Sequence, residues 1–268
     1  MELVVFLKQV LDNTRFATDG QGNPRPDVPT MLNPLDEYAL ELALRLKETH
    51  ALNPRVTVVS AGSPSVKDIL KKAIAAGADQ AVFVHDEAIT ARDGLSRAKI
   101  LKATITTLTN RGILSTEAPS LYGFGQQALD TGAGETGPAF AALMGIASYT
   151  QVKSASNLAS ETTSSLAVCC QESSGSENHV ITLPAVLCTI KGEHELRTAN
   201  IKGVMRANKT EISTLTLADI GLEGHLNGLS PAGVADRAAK PAGRTIQPAS
   251  PNEAADAIVS YLSSLQVV

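Results

Sequence analysis

The chain has no tryptophan, and five phenylalanines and four tyrosines are its only aromatic residues in 268. A core with so few large rings must be built from Ala, Val, Leu and Ile, which suits α/β layers better than a β-sandwich. Excess positive charge is missing too. The formal net charge is −4 and the isoelectric point about 5.8, which argues against a nucleic-acid partner. No apolar run is long enough to cross a bilayer. The N-terminus runs directly into Leu3-Val-Val-Phe-Leu7 without a basic leader, so a cytoplasmic protein is expected.

Reactive side chains are equally sparse. The three cysteines are Cys169, Cys170 and Cys188. Adjacent residues of a strand point to opposite faces, so the first two are expected to be structural thiols rather than a disulfide. His50, His85, His179, His194 and His225 show no metal-ligand spacing. Ser and Thr are plentiful, but no nucleophile-elbow motif occurs and no His or Asp is patterned to activate them. No catalytic residue and no metal ligand is assigned.

What stands out is Gly125-Gln-Gln-Ala-Leu-Asp-Thr-Gly-Ala-Gly-Glu-Thr-Gly-Pro138. It follows an apolar run, Ser120–Phe124, and precedes a helix-forming run, Ala139–Met144. A glycine-dense turn between strand and helix lets backbone N–H groups crowd around an anion, with the helix N-terminus adding partial positive charge. Gly132, Gly134 and Gly137 satisfy G-x-G-x-x-G literally. The context of a dinucleotide fingerprint is missing, because the loop follows the fourth strand and the only nearby acid, Glu161, lies in a polar stretch. A mononucleotide phosphate loop is the favoured reading; an NAD site and a plain surface turn are the alternatives. Asp130 either orients the loop by accepting backbone N–H bonds or closes an ordinary Asx-turn.

Around this loop the first half of the chain alternates. Strands are expected at Leu3–Leu7, Arg55–Ser60, Gln80–His85 and Ser120–Phe124. Helices are expected from Asn33-Pro34, with Asn33 as N-cap, from Val66 to Ala76, and from Ala91 to Asn110. Gly77 and Gly112 end the last two. This order implies a Rossmann-like, doubly wound, mostly parallel sheet with ligands at the carboxyl ends of its strands, where Asn33, Ala61 and the glycine loop converge. Gln151–Ala159, Ser164–Gln171, His179–Thr182 and Ala185–Ile190 read as antiparallel additions. Residues 191–249 lack periodicity and form an extension, closed by a helix with a Ser250/Glu253 capping box.

Four segments together resemble the beta subunit of electron transfer flavoprotein over nearly the whole chain. They are Val4-Val-Phe-Leu-Lys-Gln-Val-Leu-Asp12; Leu32-Asn-Pro-Leu-Asp-Glu-Tyr-Ala-Leu-Glu-Leu-Ala-Leu-Arg-Leu-Lys47; Val58-Val-Ser-Ala-Gly62 with Lys72-Ala-Ile-Ala-Ala-Gly-Ala-Asp79; and the glycine loop with Glu195–Lys209. The resemblance implies a heterodimer with an alpha subunit that holds most of a redox-active FAD, and an AMP without redox role in the beta subunit. The AMP contacts carried over are Phe6, Asn33, Pro34, Leu35, Asp36, Ala61, Gly125, Gln126, Gln127, Ala128, Leu129, Asp130, Thr131, Gly132, Ala133, Gly134, Glu135 and Thr136. It also implies that Ala199–Lys209 is a loop docking flavin-dependent dehydrogenases, with Ile201 as apolar anchor beside Lys202, Met205, Arg206 and Lys209. A quinone reductase or similar acceptor would take the electrons onward. The implied domains are 1–190, binding the adenine nucleotide, and 191–268, the docking loop and an arm around the alpha subunit.

Some positions depart from the family pattern. Phe6 is bulkier than the small residue common there, and Gly134-Glu135 replaces the usual Asn-Gln pair, so Glu135 is expected to point away from a phosphate. Asn13 stands where some relatives carry an aromatic residue near the flavin. Pro138 is similar to relatives with a second FAD in the beta subunit that bifurcate electrons from NADH. That reading is one alternative, and a flavin-free nucleotide-binding regulatory domain is another.

Overall fold

A computed structural model describes residues 1–15, 17, 19, 25, 27–50, 53–87, 89, 93–118, 120–158, 164–224, 243 and 245–266. The chain forms two units, residues 1–233 and 234–268. The first contains, in order, β1 (Glu2–Phe6), β2 (Gln9–Leu11), β3 (Thr30–Leu32), α1 (Pro34–Thr49), β4 (Arg55–Ala61), α2 (Val66–Ala76), β5 (Gln80–Val84), α3 (Gly94–Asn110), β6 (Ser120–Gly125), α4 (Thr136–Met144), β7 (Ala147–Asn157), β8 (Ser165–Glu172), β9 (Gly175–Thr182), β10 (Ala185–Thr189), α5 (Ile201–Lys209) and β11 (Ser213–Leu215). The second contains α6 (Pro251–Ser264).

One nine-stranded sheet dominates, in the order β11-β5-β4-β1-β6-β10-β7-β8-β9. Pairing is parallel from β11 to β7 and antiparallel from β7 to β9. Because central strands are buried on both faces, they read as largely apolar runs, interrupted in β4 by the buried Thr57 and Ser60. In β1, Leu3 and Val5 face a core completed by Leu40 and Leu44 of α1 and Leu70 and Ile74 of α2. Val4 and Phe6 face the opposite core, with Ile100, Leu101 and Leu108 of α3 and Phe140 of α4. Each such buried side chain contributes roughly 1.5–3 kcal/mol. The strand order reverses between β1 and β6, and in open α/β sheets ligands bind at the carboxyl ends of such a switch point.

Several expectations are corrected. Ala185–Thr189 is not an antiparallel addition: β10 inserts between β6 and β7 and runs parallel to both. The strand expected from Gln151 begins at Ala147, and Gln151 itself has φ +56° beside a register shift that hides the strand's alternation. The third helix starts at Gly94, with Asp93 accepting from the Ser96 N–H at 2.8 Å. The expected start at Ala91, the strand end at Ala159, Glu161 and His225 lie outside the described residues. The aperiodic stretch after residue 190 contains α5 and β11, and the expected docking loop is therefore a helix.

Asn200 caps α5 by accepting from the Gly203 N–H at 2.8 Å. A side chain at Gly203 would stand 2.2 Å from the Ala75 carbonyl oxygen, so α5 rests closely on α2 at that point. In the second unit, Ser250 accepts from the Glu253 N–H at 3.2 Å. The reciprocal bond of the box goes to the Ala249 N–H, at 2.8 Å, instead of to Ser250.

Candidate functional site

The carboxyl edge at the switch point is assembled from segments far apart in sequence. Asn33 precedes the first turn of α1, but its side chain does not cap that helix. Its amide nitrogen donates to Asp36 Oδ1 at 2.8 Å and to the Gln127 carbonyl at 3.0 Å, and its oxygen accepts from the Leu129 N–H at 3.1 Å. Asp36 accepts two more bonds, from the Lys8 N–H at 2.7 Å and the Gly125 N–H at 3.0 Å. Both residues are buried. Burial pushes the Asp36 carboxyl up to about 7, against the pull of those three hydrogen bonds and the Lys8 charge.

Glycines let this contact form. A Cβ at Gly125 would stand 2.4 Å from Asp36 Oδ1, and one at Gly137 would stand 2.5 Å from Cys188 Sγ on β10. Gly137 thus brings α4 close to the sheet, as the third glycine of the fingerprint does elsewhere. Gly132 and Gly134 both have φ +65°, a left-handed conformation that glycine adopts without strain. Gln126 donates its N–H to the Thr189 carbonyl at 2.7 Å and accepts the Gln151 N–H at 2.8 Å, so the β7 irregularity also serves the loop.

The loop's two carboxylates are both engaged by this chain. Asp130 meets Lys8 Nζ at 2.7 Å, a long-range ion pair within the chain that neither sequence reading of Asp130 foresaw. Glu135 accepts from the Gly94 N–H at 2.8 Å, at the start of α3. The N-terminus of α4 follows the loop directly. Phe6 is 4% exposed and packs on Phe124 with ring centroids 4.5 Å apart, beside Phe140 and Tyr122. Ala61 is half-buried at the end of β4, and its carbonyl accepts from Arg97 of α3 at 3.4 Å. Arg97 was invisible to sequence reasoning, because only the fold brings the first turn of α3 to this edge.

The residues named for docking lie on α5. Ile201 is 80% exposed, and Met205 and Val204 are exposed beside it. Lys202 and Lys209 are also exposed. Arg206, exposed as well, also donates to the carbonyls of Ile74 and Ala78 at the carboxyl end of α2, where a cation complements the helix dipole. The segment before α5 is pinned to α1. Arg197 donates from Nε and Nη2 to the two oxygens of Glu41, each at 2.9 Å, and also binds Glu48. Burial pushes Glu41 up, but Arg197 and Arg45 outweigh it and hold the carboxyl below its usual value.

The family model for the electron transfer flavoprotein domain matches residues 25–220. The chain belongs to this family. Among curated relatives it is 33% identical over 226 residues to an electron transfer flavoprotein subunit beta of Bradyrhizobium diazoefficiens, covering 83% of this chain and 84% of the relative. It is 30% identical over 227 residues to Protein FixA of Azorhizobium caulinodans, covering 83% and 78%. A Mycobacterium bovis electron transfer flavoprotein subunit beta aligns over 99% of both chains at 28% identity. The chain thus falls in the beta-subunit and FixA group of electron transfer flavoproteins, which are electron carriers. No helix among its described residues is long and apolar enough to cross a membrane.

Proposed function

We propose that this chain is the beta subunit of a heterodimeric electron transfer flavoprotein, and that it holds AMP, shields a flavin and docks dehydrogenases without bond-making chemistry of its own. The observation that carries the reading is the glycine loop at the topological switch point, with its own carboxylates engaged elsewhere. AMP would lie against Asn33–Asp36, Ala61 and Gly125–Thr136, and its phosphate would take loop N–H groups other than those of Gly125, Gln126, Leu129 and Gly132, which are bonded within the chain. Phe6 would shape the floor of that site through its packing on Phe124.

FAD, held mainly by the alpha subunit, supplies the reversible electron transfer when bound. This chain would cover one side of it and exclude water. Dehydrogenases would dock on α5, where the exposed apolar side chains Ile201, Val204 and Met205 sit among Lys202 and Lys209. Transient partners use small apolar contacts steered by charge, and this surface has both. A quinone reductase or similar acceptor would receive the electrons, and the whole cycle would run in the cytoplasm.

Co-expression with a candidate alpha subunit tests the reading. A heterodimer with visible flavin absorption is expected. A monomer or homodimer without flavin would instead support a nucleotide-binding regulatory domain.

A further inference from the structure

Asp36 is the residue on which the carboxyl edge at the switch point closes. It is 5% exposed, and donors from three places in the chain converge on it: the Lys8 N–H on one oxygen, the Gly125 N–H and the Asn33 amide on the other. Asn33 in turn grips Gln127 and Leu129. The first residues of the glycine loop therefore hang from Asp36, directly or one side chain removed. Lys8 is fixed through both of its backbone polar groups, since its carbonyl accepts the Asn33 N–H at 2.9 Å. That places its ammonium against Asp130 in the loop.

We propose that Asp36 is a positioning residue for the nucleotide: as a carboxylate it holds the loop and Lys8 in the shape that takes a phosphate, and a proton on it releases them. The proposal rests on the reading of the loop as the AMP site and adds how that site is controlled. A carboxylate can accept all three hydrogen bonds. A carboxylic acid becomes a donor on one oxygen, and the groups facing both oxygens are themselves donors. One N–H must then withdraw, because a buried unmade bond is costly.

Among the described residues, the charged or titratable groups facing Asp36 are few. Lys8, between β1 and β2, favours the carboxylate. Cys188, on β10, stays neutral because burial pushes its thiol up to about 12. Asp130 faces Lys8 and not Asp36. Gly125 and Asn33 bring no charge. Burial leaves Asp36 itself exchanging its proton at about 7.

The test uses the full chain refolded with its alpha partner free of nucleotide. The probe is adenosine 5′-methylphosphate, a phosphodiester whose charge stays constant near neutrality. At about pH 6 roughly one Asp36 in ten is ionised, so affinity should be about tenfold weaker than at about pH 8. The Asp36→Asn complex should bind weakly with no such slope. Should that variant fail to fold, calorimetry of the unaltered complex in buffers of different ionisation enthalpy gives the same information, as net proton release on binding near pH 7. Equal affinity at both pH values with no proton release would overturn the role of Asp36 alone. No binding of the probe or of AMP itself at any pH would overturn the AMP site.

Discussion

Substituting alanine at Gly125 is expected to cost far more stability than the same change at Gly132, for reasons visible at both positions. The new Cβ at Gly125 would lie 2.4 Å from Asp36 Oδ1 and 2.8 Å from the backbone of Leu35 and Asp36. Those backbone atoms belong to the start of α1 and have no rotamer to change. The loop must back away, which breaks the Gly125 N–H bond to a buried carboxylate, worth about 1.5–3 kcal/mol. Residual overpacking adds about 1–3 kcal/mol. The sum, about 2.5–6 kcal/mol, is a large share of the roughly 5–15 kcal/mol that holds a domain together. At Gly132 nothing lies within 4 Å, and only the φ of +65° penalises a side chain, at about 1–2 kcal/mol. Urea denaturation of both variants, read as midpoints at constant slope, measures the difference. Equal losses within about 0.5 kcal/mol would refute the claim that Gly125 is there to let Asp36 reach the loop.

Asp36 also sets a pH dependence. Its folded value of about 7 lies above the ordinary 3.8, so the folded chain binds the proton more tightly than the unfolded one. Its contribution is therefore full below about pH 4 and is lost as pH rises through about 7, by up to about 4 kcal/mol. Denaturation at several pH values should show this fall in the unaltered chain and not in Asp36→Asn; parallel profiles would contradict it. Arg197→Met should destabilise by about 2–3 kcal/mol, because it leaves the buried Glu41 with Arg45 as its remaining cation. A thermal midpoint unchanged by that substitution would show the pair to be ornamental. Ile201→Ala should leave stability within about 0.5 kcal/mol, given its exposure. It should slow electron transfer from the partner dehydrogenase at unchanged flavin content, and an unaltered rate would remove α5 from the docking surface.

Much of the first half of the fold was legible because local signals agreed. Val66–Ala76 has an apolar stripe and a terminating Gly77, and the helix occupies those residues. β1, β4, β5 and β6 are short, largely apolar runs between turn residues, as strands buried on both faces must be. What failed was non-local. The pairing of β10 between β6 and β7 is decided by contacts with strands far earlier in the chain, Ala185 lying against both Leu121 and Ala147, and nothing in Ala185–Thr189 marks it as parallel. α5 has apolar residues at helical spacing, Ile201, Val204 and Met205, but they face outward, and a stripe without a buried partner reads as an irregular segment.

The site divided along the same line. The glycine loop announced itself by composition. Asn33 was recognised as a helix start, but its side chain serves the loop 94 and 96 residues onward. Lys8, which meets Asp130 across 122 residues, and Arg97 at the carbonyl of Ala61 carried no local signal at all.

The most direct test of the central claim is mass spectrometry of the small molecules released when the heterodimer is denatured. One FAD and one AMP per heterodimer is the predicted result. Two FAD without AMP would contradict the AMP site and indicate a bifurcating subunit with its own flavin, and no flavin at all would contradict the electron-carrier function.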